Sequence, residues 1–183
     1  MITHDASLIK LAAFFANQTY SKASINDIAK LLKISTGSFY KTFGDKKSFY
    51  FKVIDYLKKQ VLTELDIARE SDANSLSEMI KVFVTSKNAQ YLVGIINTHQ
   101  SDDSTIVDFL KDIELILFKK IESLIRNHDF YMEVIISKNI YSNVYLFLIW
   151  SAIKGMNQNR YLESMCTQEL DSLIDIILLP VKV

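Results

Sequence analysis

Apolar residues recur at helical spacing along most of the chain, and polar clusters cut that pattern into segments. Leu8, Leu11, Ala12 and Phe15, with Ala16 beside them, predict a helix over 7–18. "NQTYSKAS" interrupts it. Ser24 and Asp27 then form a short capping box, with a hydroxyl for the orphan amides and a carboxylate at the positive helix end. Ile25, Ile28, Ala29 and Leu32 continue for about two turns. "KIS" separates this short helix from another over Thr36 to Thr42, which Gly44 ends. Asp45 can cap the next helix. Tyr50, Val53, Ile54, Leu57, Val61, Leu65 and Ala68 hold one face of it, from about 46 to 69.

The second part of the chain repeats the theme with longer elements. After the polar "ESDANS", Leu76 to Ile96 reads as helix, interrupted near Asn88. Ser104 can cap the following helix, whose stripe is Ile106, Phe109, Leu110, Ile113, Leu117, Ile121 and Leu124. "RNHDF" breaks the chain before a long helix over 132–156. Leu170, Leu173, Ile174, Ile177 and Leu178 mark a last helix, and Pro180 stops it. One proline and four glycines in 183 residues leave few turn formers for a β-rich fold. The expected class is all-α.

Composition narrows the setting. The single cysteine, Cys166, rules out an intrachain disulfide framework and fits a reducing, cytoplasmic environment. Residues 1–15 have no basic region of the kind that opens a secretory signal. The most apolar run, "VYLFLIW" at 144–150, is far shorter than the roughly 20 residues that span a bilayer, so it reads as a buried helix and no membrane partner is expected. The zero net charge conceals a split. Residues 1–60 carry ten lysines against four aspartates, a net of +6, and residues 61–183 carry the opposite net charge. That asymmetry points to a polyanion at one end only.

Two short helices joined by a tight turn, inside a basic three-helix segment, is the layout of a helix-turn-helix. The second helix of such a pair enters the major groove by its N-terminal end. It needs small polar side chains there and donors aimed at phosphate. Ser35, Thr36, Gly37 and Ser38 meet the first need, and Tyr40, Lys41 and Lys46 the second. The stretch "FFANQTYSKASINDIAKLLKISTGSFYKTFGDKKSFYFKVI" resembles the N-terminal domain of TetR-family transcriptional regulators. Phe15-Ala16, Tyr20, Ser24, Ile28-Ala29, Ile34-Ser35, Gly37-Ser38-Phe39-Tyr40, Phe43 and Lys46 fall in register without gaps.

The resemblance implies roles by position. Tyr40 and Lys46 would meet backbone phosphates of double-stranded DNA. Thr36, Gly37 and Ser38 would sit at the tip of the recognition helix. Ser24 and Asn26 would touch the flanking backbone, and Ser35, Lys41 and Thr42 complete the set. Phe39 and Phe43 look like core residues. Three positions depart from the family's pattern: Lys33 stands where a turn glycine is usual, Thr19 replaces a glycine, and Thr42 replaces a frequent histidine. If Lys33 is left-handed, lysine costs on the order of 1 kcal/mol there.

The resemblance also implies a division into a DNA-binding domain, 1–48, and an effector-binding and dimerisation domain, 49–183. The segment from Tyr141 to Gly155 is apolar almost all round, so it can face both its own bundle and a partner chain. With the last helix it would form a homodimer interface. Residues eligible to line an effector pocket are Phe83, Tyr91, Asn97, Phe109, Phe118, Tyr131, Tyr145, Trp150 and Met156, which favours a hydrophobic or aromatic small molecule. No glycine-rich phosphate loop, catalytic set or metal-ligand spacing is present, so neither an enzyme nor a cofactor is expected. The expected function is a ligand-responsive transcriptional repressor. The alternative is a helical adaptor whose basic end binds an acidic protein or membrane surface.

Overall fold

The computed structural model describes residues 5–70, 76–98, 101–126, 150–152, 154–155 and 167–178. Among these the chain is helical, with no strand. The helices are α1 (Asp5–Asn17), α2 (Ile25–Leu32), α3 (Thr36–Phe43), α4 (Lys46–Glu70), α5 (Leu76–Thr85), α6 (Lys87–Thr98), α7 (Ser104–Arg126) and α8 (Thr167–Leu178). The polar breaks fall where helix-period patterning stops. The interruption expected near Asn88 lies at Ser86, whose amide donates to the Val82 carbonyl at 3.0 Å.

The helices gather into two compact units. Residues 1–60 and 87–114 form the first, and 61–86 and 115–183 the second, so α4 and α7 each serve both. The first unit therefore takes in α6 and the acidic start of α7. Residues 87–114 bring five carboxylates and two lysines, which lowers the net charge of this unit to +3. The expected polarity of charge persists at half the size the linear sequence suggests.

In the first unit an aromatic cluster forms the centre. Phe39 and Phe49 meet edge to face at 5.1 Å, and Phe43 lies 4.6 Å from Phe49. Phe15 meets Tyr50 edge to face at 4.9 Å. Such pairs contribute about 0.5–1.5 kcal/mol each beyond the burial of their area. Ile28, Ala29 and Leu32 supply the buried face of α2. α6 packs on α1, where Gly94 faces Ala16 closely enough that an added Cβ would lie 3.5 Å from the alanine methyl. The first turns of α4 are tied to the start of α7 twice. Lys47 Nζ pairs with Asp103 Oδ2 at 2.8 Å, and the Phe51 and Phe109 rings stack 4.2 Å apart.

In the second unit α8 packs on α5, with Lys81 Nζ bonded to Asp171 at 2.8 Å. Lys120 pairs with Asp66, and Ser86 donates to Glu64. The stripes of α4 and α7 are buried as their periodicity predicts, Phe109 excepted at half-buried. The expected helix over 132–156 falls mostly outside the described residues. The N-cap of α7 is Asp103 rather than Ser104: its Oδ1 accepts the Thr105 amide at 3.0 Å, and its carbonyl accepts the Ile106 amide. The capping carboxylate lies at the positive end of α7 and is also held by Lys47.

Candidate nucleic-acid interface

The helix pair is built almost entirely from local hydrogen bonds. Ser24 is extended (φ −93°, ψ 149°), and its Oγ accepts the Asp27 amide at 3.1 Å while donating to the Asp27 carboxylate. The serine half of the capping box read from the sequence is therefore formed, and the Asp27 carboxylate is held by the Ser24 hydroxyl. α2 ends at Lys33, which is left-handed with φ 56° and ψ 43°. The Lys33 amide donates to the Lys30 carbonyl at 3.1 Å, and the Ile34 amide reaches back to Ala29 at 3.0 Å. These two bonds make a Schellman motif with lysine in the place that glycine usually takes. Lys33 is the one non-glycine residue with positive φ among the described residues.

Two residues later Ser35 is extended again (φ −75°, ψ 156°) and caps α3. Its Oγ accepts the Ser38 amide at 3.1 Å and donates to Ser38 Oγ at 2.9 Å. The hydroxyls of Ser24 and Ser35 thus already serve the fold. Their helix ends are shaped before any partner arrives.

α3 is the most exposed helix of the first unit. Phe39 is fully buried and Phe43 half-buried; Thr36, Gly37, Ser38, Tyr40, Lys41 and Thr42 are all exposed. Tyr40 is a large aromatic with 53% of its surface in solvent, which sets it apart from a core tyrosine. The first turn of α3 holds no acidic residue, so its positive end is uncompensated by side-chain charge. A Cβ added to Gly37 would meet only Ser35 Oγ, at 3.9 Å, so nothing in the fold demands glycine there. Gly44 differs: at φ 81° and ψ −78° it closes α3 in a conformation that other residues rarely adopt.

Asp45 then caps α4, accepting the Ser48 amide at 2.8 Å and the Ser48 hydroxyl at 2.9 Å. Those bonds hold its carboxyl below the ordinary value. The two lysines that follow go different ways. Lys46 places its ammonium 4.2 Å from the centre of the Tyr20 ring, and burial lowers its pKa. Lys47 is engaged by Asp103, which raises the lysine pKa and lowers that of the carboxylate. Asn26 is exposed at the start of α2, on the same short pair of helices.

The proposed pocket residues that the structure describes belong to both units. Phe83, Phe118 and Trp150 come together in the second unit, with ring centres 6.2 Å (Phe83 to Trp150) and 6.1 Å (Phe118 to Trp150) apart. Tyr91, Asn97 and Phe109 belong to the first unit, where Phe109 is taken up by Phe51. Tyr131, Tyr145 and Met156 lie outside the described residues. Among the described residues no group of His, Cys, Asp and Glu could hold a metal ion, and no helix is long and apolar enough to cross a membrane.

No protein-family model and no curated protein matches the chain. Solved structures do. A cysteine-substituted form of the TetR-family transcriptional regulator CifR, in complex with 26-base-pair double-strand operator DNA, aligns with a TM-score of 0.73. It is 15% identical, over 98% of this chain and 96% of the other. The TetR-family regulator PfmR from Thermus thermophilus aligns at 0.65 with 18% identity, over 96% of this chain and 98% of its own. The chain has the fold of TetR-family transcriptional regulators.

Proposed function

We propose that this chain is a DNA-binding transcriptional regulator, a repressor that reads a palindromic operator as a homodimer and is released by a small hydrophobic or aromatic effector. The observation that carries the reading is the exposure of α3. Phe39 pins the helix to the core, and Thr36, Gly37, Ser38, Tyr40, Lys41 and Thr42 face outward. A polar first turn free of carboxylates suits entry into the major groove, where amides and hydroxyls meet phosphates and base edges. The operator complex of CifR, on the same fold, supports this reading.

In this reading Tyr40 and Lys46 donate to backbone phosphates, and Thr36, Gly37 and Ser38 approach the bases. Ser35, Lys41 and Thr42 lie alongside, and Ser24 and Asn26 meet the flanking backbone. Residues 1–48 make the DNA-binding domain and 49–183 the effector-binding and dimerisation domain, with the C-terminal helices joining two copies. The Phe83, Phe118 and Trp150 cluster favours an aromatic effector. To reverse a 99:1 population the effector must prefer the released state by about 5.5 kcal/mol.

Selection of bound duplexes from random DNA, using the full chain, tests the function. A palindrome with half-sites about one helical turn or a multiple apart is expected, and no enrichment of any sequence refutes the reading. On the recovered operator, Lys46→Ala should weaken binding and flatten the log–log salt dependence by roughly 0.9, the share of one phosphate. Tyr40→Phe should weaken binding with little change in slope, because it removes a neutral donor. If both variants keep wild-type affinity and slope, the contact assignment is wrong.

A further inference from the structure

A free lysine must be ordered before it can hold a phosphate in a fixed place. A lysine stem has four rotatable bonds, and ordering it on DNA costs rotamer entropy that a preset position would reduce. The structure supplies a seat for Lys46. The Lys46 ammonium lies 4.2 Å from the centre of the Tyr20 ring, well inside the range of about 6 Å over which a ring face attracts a cation.

The seat is itself fixed. Tyr20 lies in the turn between α1 and α2, which is closed by the Lys22 and Ala23 amides, both bonded to the Thr19 carbonyl at 3.1 Å. The Gln18 side-chain amide adds a bond to the Lys22 carbonyl at 3.1 Å. The Tyr20 ring is backed by Tyr50 at 5.0 Å, and Tyr50 in turn packs edge to face on Phe15. Phe15 and Tyr50 are both buried, so the series of rings runs from the core to the ammonium. The neighbouring lysine offers a contrast, because Lys47 is held by a carboxylate that neutralises it. An aromatic face orients a cation and leaves its charge, and its remaining N–H donors, available. The lowered pKa of Lys46 fits an ammonium that has already shed part of its water.

We propose that Tyr20 is a positioning residue for DNA binding: its ring face holds the Lys46 ammonium, still charged, in the place from which it meets a backbone phosphate. This rests on the regulator reading above. The part of Tyr20 that matters is the ring, not the hydroxyl.

A double-mutant cycle on the selected operator, measured over a series of salt concentrations, tests it. Tyr20→Phe should keep wild-type affinity and slope. Tyr20→Leu should weaken binding roughly fivefold, the scale of one partly exposed cation–ring contact. In the Lys46→Ala background Tyr20→Leu should weaken it no further. Equal losses from Tyr20→Leu in the two backgrounds would mean that the ring acts through packing, and no loss in the wild-type background would also overturn the proposal. A readout without DNA covers the case in which Tyr20→Leu does not fold. In the wild-type protein the Lys46 ε-methylene protons should be shifted upfield by the ring current, and values of an unstructured lysine would overturn the placement. If the wild-type chain selects no DNA sequence, the regulator reading fails and this proposal falls with it. Sequence-specific binding without coupling between Tyr20 and Lys46 removes this proposal alone.

Discussion

Gly37 and Lys33 are four residues apart and carry opposite messages. Gly37 has ordinary helical backbone and room for a methyl group, so its lack of a side chain serves nothing inside the fold. Gly37→Ala should raise stability by roughly 0.5–1 kcal/mol, since glycine in a helix costs about that much. The same change puts a methyl on the surface proposed to approach DNA, so operator affinity should fall while the melting temperature rises. A variant that melts higher and binds equally well would show that Gly37 does not face the groove. Lys33 is the converse, a bulky residue in left-handed backbone. Lys33→Gly should stabilise the chain by about 1 kcal/mol, read as a melting temperature higher by about 2–4 °C for a chain of this size. Lys33→Ala should not, because alanine carries the same Cβ penalty. The spacing of α2 and α3 put Lys33 in the turn, the family resemblance supplied the glycine usual there, and the structure adds the left-handed backbone.

At the scale of elements, local chemistry was readable and long-range partnership was not. Ser24 and Asp45 announce their caps because a cap depends on residues within three or four positions. The pair of Lys47 and Asp103 spans 56 positions, and no periodicity points to it. The seat of Lys46 on Tyr20 is likewise invisible in a stripe of apolar residues: both side chains are amphipathic, and each alone reads as surface. The Lys47–Asp103 pair has a pH signature. The carboxylate is held below its ordinary 3.8, so its contribution is full above 3.8 and is lost as pH falls through the depressed value. The ammonium is held above its ordinary 10.5, so its contribution is full below 10.5 and is lost as pH rises through the elevated value. Asp103→Asn keeps a competent cap on α7 and removes the charge. The difference in melting temperature between wild type and Asp103→Asn should be level between those two limits and close beyond each. A difference independent of pH would mean that the carboxylate acts only as a cap.

For the molecule as a whole, the helical class followed from period and composition, but the grouping of helices did not. A buried stripe on α6 or α7 says that something covers it, without saying what. Residues 87–114 join the first unit because α6 lies on α1 and the start of α7 is held by Lys47 and Phe51. These are contacts between side chains that any helical bundle could have distributed otherwise. The candidate interface is local in sequence and the candidate pocket is not. The interface is made by residues close in sequence, from Ser24 to Lys46. A pocket is made by residues far apart, and the eligible aromatics divide between the units.

Trp150 is the only tryptophan in the chain, and it is 5% exposed among Phe83 and Phe118. The protein therefore carries a single indole as an intrinsic optical probe, and it belongs to the second unit. Its emission should be blue-shifted in the native state, since the indole sits in an apolar environment. A small molecule that enters among these rings should quench or shift that light in a saturable way. A library of aromatic compounds can thus be screened on the unlabelled chain, before an operator or a target gene has been identified.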